Sequence, residues 1–234
     1  MRALVPAWTL FVCPQERFTL SQIVDSSASE KPQRFEMLRA YTLADLFTLS
    51  NAACGTTSLF ICLNYLAEGS LKASLWPVFI FLPLALVCDA LDGYVARKTR
   101  KASDLGADLD SLADIVSFGV APAVLGYTLG LRGGFDMLML IFFVVCGISR
   151  LARFNVTADD LANEEGKVSH FEGTPIPTSL VIVVALGILF ALDQTGVDTF
   201  WLGNGRLGWM FHPFTLIYVL SGSLMISKIR VPKP

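Results

Sequence analysis

From Leu43 onward the chain is a succession of long apolar runs, with polar residues collected between the runs rather than alternating within them. A helix needs about 20 residues to cross a hydrocarbon core of roughly 30 Å, whereas a membrane-spanning strand shows alternation over only about 10. Six windows follow the helical pattern: Leu43 to Ala67, Leu75 to Ala96, Ala107 to Leu129, Phe135 to Phe154, Pro177 to Leu192 and Leu207 to Ser227. The fifth is the shortest. Glycines, prolines and charges punctuate the gaps, as expected of connections. The pattern predicts an all-α polytopic membrane protein with six transmembrane helices in residues 41–230, preceded by a tail of residues 1–40. In that tail Pro6 interrupts the only signal-like stretch, so an irregular cytoplasmic segment is expected. Gln33 to Ala40, with Phe35, Met37 and Leu38 among charges, is a candidate interfacial helix.

Composition agrees with the pattern. Hydrophobic residues make up 53% of the chain and charged residues 16%, with a mean hydropathy of +0.58. A soluble globule carries an apolar share of about 45–50% even with glycine included. The net charge of −2 gives no argument for nucleic acid, but the distribution of charge is informative. With the N-terminus inside, fifteen of the eighteen Lys and Arg residues fall on the cytoplasmic side, and only Lys72, Arg132 and Arg206 lie outside. The five cysteines form no CxxC or Cys/His pattern and read as small hydrophobes. His170 reads as a loop residue and His212 as interfacial.

Against this background four aspartates stand out. Asp89 and Asp92 end the second window, and Asp110 and Asp114 open the third, so all four share one depth at the cytoplasmic surface. Spacings of three and four residues put each pair on one helix face, with Cβ atoms about 5–6 Å apart. A carboxylate at the centre of a membrane helix costs roughly 2.5–3.5 kcal/mol to insert. Two unit charges 4 Å apart repel by about 4 kcal/mol at an effective dielectric of 20. The cluster therefore requires cations. Arg97, Lys98, Arg100 and Lys101 offer ordinary interfacial salt bridges as one source. The register of the four, with Gly93, Ala96 and Gly106 interleaved as residues without bulk, favours divalent metal. Ligands that are all oxygen select Mg²⁺, Mn²⁺ or Ca²⁺, and four carboxylates suit a pair of ions clamping a phosphoryl group. Asp104 and Asp108 fall off this face and read as surface or supporting residues.

The run DALDGYVARKTRKASDLGADLDSLAD resembles the signature of the CDP-alcohol phosphotransferases at all eight defining positions. The resemblance implies a six-helix fold, two divalent cations (Mg²⁺ or Mn²⁺) and a homodimer. It also implies that Asp89, Asp92 and Asp110 are metal ligands, with Asp114 a further ligand or the general base. Gly93, Ala96 and Arg97 line the CDP site by the same resemblance, and Gly106 belongs to the same signature. Thr48, Asn51 and Gly55 resemble the family's T-x-x-N-x-x-x-G element, in which Asn51 touches the nucleotide diphosphate; helix packing is the other reading of that element.

Two further segments, GISRLARFNV and HFEGTPIPTS, resemble the phosphatidylserine synthase branch of the family, its fungal type in particular. The expectation is transfer of a phosphatidyl group from CDP-diacylglycerol to L-serine. A serine carboxylate calls for arginine, and Arg150 and Arg153 lie at the depth of the aspartates, one for that carboxylate and one for a lipid phosphate. Phe154 and Asn155 shape the same pocket. Thr174, within Gly173 to Pro177, belongs to a loop that can cover it. Pro77, Pro83 and Pro122 are candidate bends that open a cavity for acyl chains. The nearest alternative is a sister enzyme using another alcohol such as inositol. An ion-coupled transporter is the alternative from another class, since intramembrane acids often mark ion paths. The endoplasmic reticulum membrane is the expected compartment, with the site facing the cytoplasm; a bacterial inner membrane would look the same in sequence.

Overall fold

A computed structural model describes residues 43–68, 75–99, 104–163, 170–172, 174–195, 211–227 and 230–232. The N-terminal tail and its candidate interfacial helix lie outside the described residues. Helices α1 (Leu43–Glu68) and α2 (Val78–Thr99) form the first two spans. The third span is composite: α3 (Asp104–Asp114), a π-helical segment (Ile115–Val120) and α4 (Ala121–Leu129). Helix α5 (Gly134–Asn163) is the fourth span. A 3₁₀ turn (Ile176–Ser179) leads into α6 (Leu180–Ala191), and α7 (Thr215–Ile226) comes last. Four of these stretches are long and apolar enough to cross a membrane, and the last two are shorter apolar helices. The expected all-helical polytopic fold is what the described residues show, with one addition. Strands β1 (His170–Glu172) and β2 (Arg230–Pro232) pair antiparallel, Phe171 opposite Val231.

Several boundaries differ from the hydropathy windows, each for a backbone reason. Leu75 to Pro77 form a turn, and α2 begins just after Pro77, so this proline starts a helix instead of bending one. Helix α5 continues past its apolar window to Asn163, because loss of hydropathy ends a membrane span but not a hydrogen-bond ladder. The sixth window opens at Leu207, outside the described residues, yet Phe211 to Phe214 are non-helical and α7 starts at Thr215. Pro213, which has no N–H, stands in the turn that precedes it.

Polarity is arranged with apolar side chains outward. Phe60, Ile80, Val145, Val181, Ile188 and Leu220 are exposed, while Thr48, Asn51, Ser58, Asp92, Asp114 and Ser117 are buried. Such an exterior matches lipid and leaves the polar groups to one another. The apolar core around Leu82, Phe118, Leu125, Phe143, Leu186 and Tyr218 ties α2, the third span, α5, α6 and α7 together. Tyr218 stacks edge-on against Phe143 at 5.3 Å between centroids and donates its hydroxyl to the Pro122 carbonyl at 2.7 Å.

At the end of the bundle away from the motif, α5 and α7 are fastened by Asp136. This fully buried carboxylate accepts from the Gly133 and His212 backbone N–H groups, both at 2.9 Å, from the Thr215 hydroxyl at 3.3 Å and from the His212 ring. His212 is thus a buried partner in a helix-end clamp. His170 belongs to β1, not to a loop.

One close approach sets the position of the third span. A Cβ on Gly55 would collide with the Ser117 hydroxyl and come within 2.9 Å of the Ser117 Cα, so only glycine lets α1 meet the π segment. Because the obstacle includes backbone, Gly55→Ala should lower stability by about 1–3 kcal/mol, read as a reduced denaturation midpoint in detergent. An unchanged midpoint would mean that the two helices do not touch at this point.

Candidate active site

Three of the four aspartates converge. Asp89 and Asp92 on α2 and Asp110 on α3 each offer a carboxylate oxygen, all within 4.8 Å of one another. Asp92 is buried, and its Oδ2 accepts the Thr48 hydroxyl of α1 at 2.8 Å. Asp110 Oδ1 is buried with no hydrogen-bond partner. An orphaned buried carboxylate oxygen is costly unless a ligand completes it. Three converging carboxylates, with no thiol or imidazole among them, fit a hard divalent cation.

Asp114 is held apart from this trio but within reach of its charge. It is buried at the last α-helical position before the π segment, and its Oδ1 accepts from Asn51 Nδ2 at 3.1 Å. Asp89, Asp110 and Asp92 all act on it electrostatically. Asn51 is itself braced: the Ser117 hydroxyl donates to its backbone carbonyl at 2.9 Å, and its side-chain Oδ1 is buried without a partner. So Asn51 meets Asp114 directly, and its free acceptor atom is left for a donor on a ligand.

The π segment explains how both ends of the third span coexist. A wider turn follows Asp114, the Ala121 N–H bonding back to the Val116 carbonyl. Pro122 follows at once, where a regular ladder would need an N–H it lacks. Such bulges are frequent at functional sites. Of the candidate bends, Pro83 lies inside α2 and Pro122 at the start of α4.

On the facing helix α5, Arg150 and Arg153 part ways. Arg150 is half-buried and coupled to the Asp114 charge, its guanidinium 5.8 Å from the centre of the Phe154 ring. Arg153 and Phe154 are exposed. Asn155 is half-buried and accepts the Ser111 hydroxyl of α3 at 3.1 Å. Thr174 donates its backbone N–H to Leu224 at 3.3 Å, and the next turn packs Ile176 against Gly147, one helical turn before Arg150. Gly173 lies outside the described residues.

Among the small residues of the signature, Gly93 borders open space. A Cβ on Gly93 would meet nothing within 4 Å. Ala96 and Gly106 are half-buried, Arg97 is exposed, and Asp108 is exposed as its helical phase predicts. Three contributors were not singled out from the sequence. Asp45 is buried one turn before Thr48 and adds its charge to the surroundings of Asp92. Ser111 and Ser117, each three residues from Asp114, lie on the helix face that Asp114 uses and bond Asn155 and the Asn51 carbonyl.

Comparison with known proteins bears on this geometry. Residues 41–220 match the CDP-alcohol phosphatidyltransferase family. A CDP-diacylglycerol–serine O-phosphatidyltransferase of Saccharomyces cerevisiae is 40% identical over 206 residues, covering 86% of this chain and 74% of the relative. An enzyme of the same name from Methanocaldococcus jannaschii is 33% identical over 199 residues, covering 85% and 78%. An archaetidylserine synthase of Methanothermobacter thermautotrophicus is 38% identical over 194 residues, covering 82% and 70%. These are names of group-transfer enzymes, and the transporter alternative is set aside.

Thr48→Val keeps the shape of the side chain but removes the donor to Asp92. Loss of such a supporting hydrogen bond should weaken Mn²⁺ binding roughly 10- to 100-fold, measured by calorimetric titration of the purified protein. Undiminished affinity would mean that Asp92 is oriented by something other than α1. The carboxylate trio, the α1 braces on Asp92 and Asp114 and the match over residues 41–220 together place the chain in the CDP-alcohol phosphatidyltransferase family.

Proposed function

We propose that this protein transfers the phosphatidyl group from CDP-diacylglycerol to L-serine, giving phosphatidylserine and CMP. The observation that carries the reading is the carboxylate trio of Asp89, Asp92 and Asp110 beside a buried Asp114, in a chain 40% identical to a serine-accepting relative. Asp89, Asp92 and Asp110 would hold one or two divalent cations, Mg²⁺ or Mn²⁺, which when bound neutralise the diphosphate and make its phosphorus more electrophilic. Gly93, Ala96, Gly106 and Arg97 leave room and charge for the CDP portion. Asn51 Oδ1 accepts a donor from it.

Asp114 acts as general base. It takes the proton from the serine hydroxyl, the serine oxygen forms its bond to the lipid-side phosphorus, and the bond from that phosphorus to CMP breaks with the electron pair leaving on CMP. Its hydrogen bond from Asn51 fixes the carboxylate and leaves the other oxygen for the proton. Arg150, half-buried and coupled to Asp114, binds the serine carboxylate, with Phe154 packed on its guanidinium. Asn155 hydrogen-bonds the same amino acid. Arg153, exposed on α5, meets a lipid phosphate. Thr174 borders the serine site at the entry to α6. The chain is an integral membrane protein; we place it in the endoplasmic reticulum membrane as a homodimer with this site facing the cytoplasm.

Purified protein supplied with CDP-diacylglycerol, Mn²⁺ and a panel of labelled alcohols should form phosphatidylserine from serine. Incorporation of inositol without serine would move the chain to a sister activity. In the same assay Asp114→Asn should lower turnover by about 10²–10⁴-fold while CDP-diacylglycerol still binds, and wild-type rates in that variant would remove Asp114 as the base.

A further inference from the structure

We infer that the C-terminal strand β2 is a strap that holds the acceptor side of the site in its working arrangement, making Arg230–Pro232 positioning residues for acceptor recognition. The inference rests on the reading above in which Arg150 binds the serine carboxylate. Its starting point is the antiparallel pairing of β2 with β1, which ties the last described residues of the chain to the segment that leads into α6.

Helix α7 stops at Ile226, and Ser227 is extended, so the chain leaves the helix instead of winding on. A helix end leaves carbonyls without intrahelical donors. One of these, the Leu224 carbonyl, accepts the Ser227 hydroxyl at 3.0 Å and the Thr174 backbone N–H at 3.3 Å. The segment before α6 therefore caps α7. Strand β2 pairs with the same segment, His170 opposite Pro232, Phe171 opposite Val231 and Glu172 opposite Arg230. In an antiparallel ladder, pairs that exchange both N–H···O bonds alternate with pairs that exchange none. Pro232 has no N–H to give, so the bonded pair is Phe171 with Val231.

The pinned segment ends on the helices of the site. Ile176 is fully buried, and a Cβ on Gly147 would come within 3.0 Å of its Cδ1 and within 3.3 Å of the Cδ1 of Ile115. Gly147 of α5 thus receives both side chains at one spot. Ile115 directly follows Asp114, and Arg150, coupled to the Asp114 charge, lies three residues beyond Gly147. The segment is therefore held at three successive places: by β2 at residues 170–172, by Leu224 at Thr174 and by Gly147 at Ile176. Its seat sets where α5 stands against the π segment, next to the base and the cation. A pair of short strands contributes little stability by itself, so the strap biases this seat without being needed to fold the bundle.

The test uses the full-length protein with CDP-diacylglycerol and Mn²⁺. It compares wild type with Val231→Pro, which removes the N–H given to Phe171, and with Val231→Ala, which keeps it. Wild-type turnover of serine is scored first, and its absence overturns the serine reading and this inference with it. Given that turnover, Val231→Pro should raise KM for serine about three- to tenfold, with kcat, KM for CDP-diacylglycerol and the denaturation midpoint unchanged. A binding-competent form populated only part of the time weakens apparent affinity by that fraction, and saturating serine restores it. Val231→Ala should match wild type, and hydrogen exchange over residues 170–172 should speed up in Val231→Pro alone. An unchanged serine KM in Val231→Pro overturns the inference by itself. So does an equal rise in Val231→Ala, a fall in kcat with serine KM unchanged, or an equal rise in both KM values with a lower midpoint, which marks the strand pair as part of folding only.

Discussion

Crowding of negative charge inside a helix bundle is the constraint on which the rest of this structure depends. Asp89, Asp92 and Asp110 converge within 4.8 Å, and Asp114 stands close enough to feel their charge. Side chains of α1 hold two of them, Thr48 to Asp92 and Asn51 to Asp114. A first span with no signature aspartate of its own is therefore part of the site. It can approach because Gly55 has no side chain to strike Ser117, and Ser117 in turn bonds the Asn51 carbonyl. Packing and chemistry here use the same few atoms.

The two ends of the bundle use the same residue type in opposite ways. Asp136 has every need met: two backbone N–H groups, the Thr215 hydroxyl and the His212 ring complete it, and it clamps α5 to α7. At the motif end, Asp110 Oδ1 and Asn51 Oδ1 are buried without partners. Complete satisfaction marks a structural carboxylate, and incomplete satisfaction marks a site prepared for a ligand. The π segment after Asp114 belongs to this division, since it separates a polar, functional α3 from the apolar α4 that packs under Tyr218.

The sequence made the spans, their number and the carboxylate cluster readable because those signals are local: long apolar runs and fixed helical spacings. Helix limits were less readable. Pro77 and Pro213 stand inside apolar windows yet precede helices, and α5 outlasts its own hydropathy. The π segment left no trace in composition. Partnerships across helices were also hidden: Thr48 to Asp92 spans 44 positions, as does Ser111 to Asn155, and no periodicity within one helix encodes either. The distinction between Arg150 and Arg153 is likewise one of helical phase against a neighbour, visible only once α5 is set beside α3. The family resemblance carried the residue roles, and the structure adds what holds those residues in place.

The account centres on a cation held by carboxylates of two neighbouring helices. Diffraction from crystals of the protein soaked in Mn²⁺, recorded at the manganese absorption edge, tests it most directly. The account predicts an anomalous peak bonded to Asp89, Asp92 and Asp110. A map in which manganese binds elsewhere, with those three side chains bridged only to lysine or arginine, would contradict it.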